Sequence, residues 1–142
     1  MQYHKIMCID YGDSRLGIAF TDFLRVTSNP YENYNSKGQE QDLEYISSLA
    51  KNNSVNLIVI GMPYSLDGSE NERTKKTQDF GTLLSKHTNI KVVYEDERLS
   101  SYEAEEILKQ KKVAPKDRKK QLDMLSAAII LQAYLNNNPK GE

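Results

Sequence analysis

The chain has 142 residues, a formal net charge of −1 and one cysteine, and a domain of that length buries roughly 70% of its unfolded surface, so its core needs neither disulfide nor structural metal. Cys8 has no partner for an intramolecular bridge, no Cys/His cluster has zinc spacing, the apolar run in MQYHKIMCIDYG is too short for a secretory signal, and no stretch approaches the roughly 20 apolar residues of a membrane span. The expectation is one domain over residues 1–142, working in the cytoplasm with no membrane contact.

Lys5–Asp10 contains Ile6-Met7-Cys8-Ile9, apolar at every position, which predicts a central strand covered on both faces. Tyr11-Gly12-Asp13-Ser14 is a turn with no room for a helix. It leads into a second strand, Arg15–Thr21, and a weaker strand lies between Arg25 and Tyr34. Gly12 and Gly17 let the backbone turn tightly or approach a neighbour. Leu43, Ile46, Leu49 and Ala50 recur at helical spacing, and Asn56–Ile60 is again a buried strand. Ser69 and Glu72 form a candidate capping box for a helix carrying Phe80, Leu83 and Leu84, and Ile90–Glu95 is a strand. Ser100 and Glu103 repeat the box before Ala104, Ile107 and Leu108. Seven basic residues crowd Lys109–Lys120 against Asp117 alone, which predicts a flexible basic loop containing Pro115. A last helix carries Leu122, Leu125, Ile129 and Gln132 and stops at Asn136-Asn137-Asn138-Pro139. Short turns join the early strands and helices join the later ones. The fold class is therefore α/β, a mixed sheet with an antiparallel hairpin on one side and right-handed crossovers on the other.

Three acids are placed by this order at one edge. Asp10 ends the first strand, where an ionised carboxylate is costly unless a cation or donors meet it. Glu97, next to Asp96, falls just past the strand Ile90–Glu95, whose carboxyl end lies at the same edge if it runs parallel to the first. Asp123 sits in an otherwise apolar helix that Ala127 and Ala128 allow close to the sheet. Three carboxylates without histidine or cysteine suit Mg²⁺ or Mn²⁺ rather than Zn²⁺, the setting of phosphodiester chemistry. Each acid also has an ordinary reading: Asp10 as a turn residue before glycine, Asp96 and Glu97 as acids beside a helix start, Asp123 as a first-turn helix acid. Arg15, Arg73 and Arg98 are forked donors for phosphate, or else partners that orient the carboxylates. Lys116, Arg118, Lys119 and Lys120 are candidate backbone contacts for nucleic acid, with a solvated loop as the alternative. Cys8 lacks an activating neighbour and reads as buried filler.

The stretches IDYGDSRLGIAFTD, IVIGMPYSLDGSENERTKKTQDF, YEDERLSSYEAEEIL and DMLSAAIILQAYL resemble, in order and spacing, the four signature blocks of the YqgF/RuvX family, from Lys5 to Leu135. The resemblance implies an RNase H-like fold, here a mixed five-stranded sheet flanked by helices, and a nuclease acting on structured nucleic acid. It implies a carboxylate at the end of the first strand, Asp10, another in the D-E-R block, and Asp123 on the last helix; Glu97 is favoured over Asp96 within the block. Ser126 and Ala127 stand where many RNase H-like resolvases carry a second acid, so one of two metals is expected to be held weakly or with help from substrate phosphate.

The leading substrate implied is the 5′ end of precursor 16S rRNA, cut to leave a 5′-phosphate and a 3′-hydroxyl. A four-way DNA junction, as in a Holliday junction resolvase, is second. The ribosome is a candidate partner, and the chain is expected to be a monomer or weak homodimer. A rival reading is a nucleic-acid or ribosome-assembly binding module that does not cut. An actin-like or sugar-kinase-like phosphate-binding fragment, also opened by D-x-G, would need a second domain to enclose its nucleotide.

Overall fold

A computed structural model describes residues 3–98 and 100–139. Five strands, β1 (Lys5–Tyr11), β2 (Arg15–Thr21), β3 (Ser28–Asn35), β4 (Val55–Met62) and β5 (Lys91–Asp96), form one sheet in the order β3-β2-β1-β4-β5. The first three pair antiparallel, while β4 and β5 run parallel to β1. Helices α1 (Gln39–Asn52) and α2 (Glu72–Thr88) supply the crossovers, and α3 (Ser100–Gln110) and α4 (Pro115–Asn137) follow β5. The mixed five-stranded sheet flanked by helices is thus present, and the weak strand before Tyr34 is β3.

The period of two along a strand sorts the core into two layers. Met7 and Ile9 of β1, Leu16 and Ile18 of β2, and Ile58 and Ile60 of β4 pack with Leu43, Ile46 and Leu49 of α1 and Phe80 and Leu84 of α2. Their neighbours Ile6, Cys8, Ala19, Leu57 and Val59 pack with Ala127, Ala128, Ile130 and Leu131 of α4. Cys8 is fully buried there. Among the described residues no helix is long and apolar enough to cross a membrane.

Helix α4 lies across β1, β2 and β3, and its approach depends on Gly17. A Cβ at that position would stand 2.0 Å from the carbonyl oxygen of Asp123. Only a residue without a side chain leaves room for the helix backbone there.

Two local expectations are corrected. The segment Lys109–Lys120 is not a flexible loop: α3 continues to Gln110, α4 begins at Pro115, and Lys116, Arg118, Lys119 and Lys120 form its first turns. Proline at the first helical position loses no hydrogen bond, because that N–H has no partner in a helix anyway. The cap of α2 is Asn71, whose side chain accepts from the N–H of Thr74 while the Thr74 hydroxyl accepts from the N–H of Asn71. Ser69 instead gives both its N–H and its hydroxyl to Asp67 in the preceding loop. Ser100 is the first helical residue of α3, and the residue before it lies outside the described residues.

Candidate active site

The alternation that buries Ile6 and Cys8 beneath α4 carries Asp10 to the same face at the carboxyl end of β1. On β5 the same alternation runs through Val93, packed against the α4 layer, and Glu95, which accepts from Asn137 of α4, and reaches Glu97 just past the strand. Gly61 of β4 leaves the space between them open: a Cβ there would lie 3.0 Å from a Glu97 carboxylate oxygen. Asp123 arrives from above, more than two turns inside α4, and so is no first-turn acid.

Asp10, Glu97 and Asp123 consequently line one cavity of about 390 Å³, together with Arg15, Arg73, Arg98, Tyr64 and Asn71. Burial is the largest influence on both Asp10 and Glu97 and raises the proton affinity of each. Glu97 is pushed up to about 9, helped by the neighbouring Asp10 charge, and as the protonated partner donates to the Asp10 carboxylate. The Arg73 guanidinium opposes the shift on both acids. Asp123 is neutralised differently, by the Nε of Arg15 at 2.6 Å. Burial and the Asp10 charge thus favour a proton on Glu97, while the Arg15 guanidinium balances the Asp123 charge. Among the described residues no three Asp, Glu, His or Cys side chains are arranged as a ready metal cluster.

Asp96 is separated from this group by its own partner. Its carboxylate takes Nε of Arg98 at 2.8 Å and the backbone N–H of residue 98 at 2.9 Å, which hold it below the usual carboxylate range. Arg98 also donates to the carbonyl of Leu66 at 3.1 Å, tying the end of β5 to the loop before α2. Asn71 fixes the other side of that loop, giving its amide to the carbonyl of Pro63 and the hydroxyl of Ser65. Of the sequence candidates, Asp10, Glu97, Asp123, Arg15, Arg73 and Arg98 meet at the cavity. Lys116, Arg118, Lys119 and Lys120 do not line it. Arg118 donates to the carbonyl of Val113 at 3.0 Å, closing the turn between α3 and α4.

Two asparagines were not among the sequence candidates. Asn71 carries a readable signal, an Asn three residues before a Thr at a helix start. Asn33 of β3, half-buried, bonds to the backbone of α4 on both sides of Asp123, and nothing local in the sequence marks it.

The chain as a whole is similar to known proteins. The family described as "RuvX: Holliday junction resolvase" matches residues 4–137. A protein of Halothermothrix orenii named "Putative pre-16S rRNA nuclease" is 43% identical over 136 residues, covering 96% of this chain and 97% of its own length. Its namesake in Synechococcus elongatus is 40% identical, covering 96% and 91%. Among solved structures, Thermus thermophilus RuvC in complex with a Holliday junction substrate superposes with a TM-score of 0.59 at 11% identity, over 94% of this chain and 97% of that one. That likeness is one of fold.

Proposed function

The chain belongs to the RuvX, Holliday junction resolvase, family, and from that membership and its acidic cavity we propose that residues 1–142 form one nuclease domain hydrolysing phosphodiester bonds in structured nucleic acid. The observation that carries the reading is the meeting of Asp10, Glu97 and Asp123, from β1, the end of β5 and α4, in one cavity lined also by Arg15, Arg73 and Arg98. Acids and guanidinium groups in one concave site match a substrate that carries phosphates and a reaction that needs a cation.

The donor set fits a hard divalent cation, because it offers carboxylate oxygens and no nitrogen or sulfur. Mg²⁺ or Mn²⁺, held by Asp10, Glu97 and Asp123, would supply Lewis acidity toward a phosphoryl oxygen and a nucleophile from water at neutral pH. The chain's own residues do the rest. Glu97 would release its proton to solvent when a cation binds, so that it and Asp10 both present negative charge. Arg15 and Arg73, which line the same cavity, bind and orient the scissile phosphate. Arg98 keeps Asp96 out of the cavity and anchors the loop of Tyr64 and Leu66 at its rim.

The leading substrate is the 5′ end of precursor 16S rRNA, favoured by the names of the Halothermothrix and Synechococcus relatives. A four-way DNA junction is the alternative favoured by the family description. Work in the cytoplasm beside the ribosome, as a monomer or weak homodimer, completes the proposal. The test is cleavage of both substrates side by side, with Mg²⁺ and with chelator, by the wild-type chain and Asp10→Asn. Cleavage of neither, with binding intact in both proteins, would make the chain a binding module instead.

A further inference from the structure

An α-helix pairs the carbonyl of each residue with the N–H four positions on. In α4, the carbonyl of Lys120 and the N–H of Met124 are such a pair, and both are taken by one side chain from the sheet. The Nδ2 of Asn33 donates to the Lys120 carbonyl, and its Oδ1 accepts from the Met124 N–H at 2.6 Å. A side chain set into the helix ladder is a recognised cause of a local opening or bend. Here it falls on the turn that contains Asp123.

The sheet register gives this contact its place. Asn33 of β3 stands opposite Gly17 of β2, and Gly17 stands opposite Asp10 of β1. The three form a row across the sheet, with the Asp123 carbonyl directly over Gly17. One end of the row grips the helix, the middle receives it, and the other end is the half-buried Asp10 of the cavity. We propose that Asn33 is the positioning residue for Asp123, its amide bridging Lys120 and Met124 so that the intervening turn presents Asp123 to Asp10 and Glu97. The inference rests on the reading of those three acids as a cation site.

The chemistry explains why an amide serves. A primary amide presents donors and an acceptor in one plane, whereas a carboxylate at neutral pH has acceptors only and a hydroxyl has a single atom for both tasks. A second contact between the same strand and helix supplies an internal control. The hydroxyl of Ser28 donates to the carbonyl of Ala128 at 2.7 Å, one turn farther along α4 and away from Asp123. Both stitch β3 to α4; only Asn33 brackets the acid.

The test compares Asn33→Ala, Asn33→Ser and Ser28→Ala with the wild type in thermal melting, Mn²⁺ titration by calorimetry, and hydrogen exchange along α4. Asn33→Ser keeps a hydroxyl for the helix and covers the case in which the alanine variant does not fold. The Asn33 variants should bind Mn²⁺ about 10- to 100-fold more weakly, the range seen when a group that orients a metal ligand is lost. They should exchange faster around residues 120–124, and excess Mn²⁺ should restore cleavage with substrate KM unchanged. Ser28→Ala should keep the wild-type Mn²⁺ affinity. A folded Asn33 variant with wild-type affinity, or an equal loss in Ser28→Ala, overturns the proposal. A wild-type chain that binds no Mn²⁺ overturns the cation reading itself.

Discussion

Arg15 joins the first residue of β2 to the interior of α4 by donating Nε to Oδ2 of Asp123 at 2.6 Å, across 108 positions of the chain. Its side chain is 46% exposed, against 23% for Asp123, so the pair sits at the cavity mouth rather than in the core. An exposed pair of this kind contributes about 0–1 kcal/mol to stability, which separates its structural effect from its effect on substrate. Arg15→Ala should melt close to the wild type. Its kcat/KM for nucleic acid should fall about 10- to 100-fold, the value of one charge-assisted hydrogen bond to phosphate. Mn²⁺ should bind at least as well, because a competing cation has been removed from Asp123. Parallel melting, titration and kinetics check all three; unchanged kcat/KM would leave Arg15 as a structural partner of Asp123 only.

The partition of the D-E-R run can be tested by a pair of isosteric changes. Glu97 lines the cavity and interacts with Asp10, whereas Asp96 is held by Arg98. Glu97→Gln and Asp10→Asn should each lose cleavage by orders of magnitude, because a neutral amide is a poor replacement for a carboxylate that holds a cation. Asp10→Asn should fold at least as stably as the wild type, since it removes a charge that burial and the Asp123 carboxylate both disfavour. Asp96→Asn should lose much less activity, through slackening of Arg98 and its loop. Single-turnover rates with the same substrate decide it, and a reversed order of the Asp96 and Glu97 variants would move the site.

Much of this arrangement follows from patterns that a sequence displays. The double-sided apolar run at Ile6–Ile9, the short turn after Asp10 and the helical crossovers are enough to bring Asp10 and the end of β5 to one edge, since parallel strands share a carboxyl end. The helix ends were harder. Ser69 reads as a cap because Ser-x-x-Glu is a common box, but Asn71 lies closer to the first helical turn and has Thr74 at the reciprocal position. The basic stretch reads as a loop because like charges repel, yet α3 packed on α4 and proline at the first helical position make it a helix start. Asn33 carries no local pattern at all. Its role arises from register, which sets it beside Gly17, and from α4 above it, whose contacts with Asn33 join residues about 90 positions apart.

Stability should fall with rising pH when divalent ions are chelated. The Glu97 carboxyl, ordinarily near 4.5, is raised to about 9 by burial and by Asp10. Between those values the folded chain keeps a proton that the unfolded chain releases. The stabilising contribution is therefore complete below about 4.5 and declines toward pH 9, with a slope on the order of 1 kcal/mol per pH unit for one proton. Glu97→Gln cannot ionise and should flatten that slope. Urea unfolding of both proteins in EDTA from pH 5 to 8 measures it, and equal slopes would show that Glu97 is not the group responsible.

The basic start of α4 gives the last prediction. Lys116, Lys119 and Lys120 are exposed, and their spacing of three and four places them on one stripe of the helix. Asp123 continues that stripe, four residues after Lys119 and three after Lys120, so a phosphate backbone following the lysines is led to the cavity. Arg118 is left out of the set because its guanidinium closes the turn at Val113. Each phosphate contact adds about 0.7 to 0.9 to the slope of log affinity against log salt. Replacing the three lysines by glutamine should therefore weaken binding and lower that slope by about 2 to 3 units if all three touch the backbone. The rate at saturating substrate should fall far less, because no group in the cavity has changed. Affinity measured across a salt series with chelated, non-cleaving Asp10→Asn protein isolates binding from cutting. A triple variant with the same affinity and the same salt slope would show that the stripe is merely solvated, and that Arg15, Arg73 and Arg98 alone hold the phosphates.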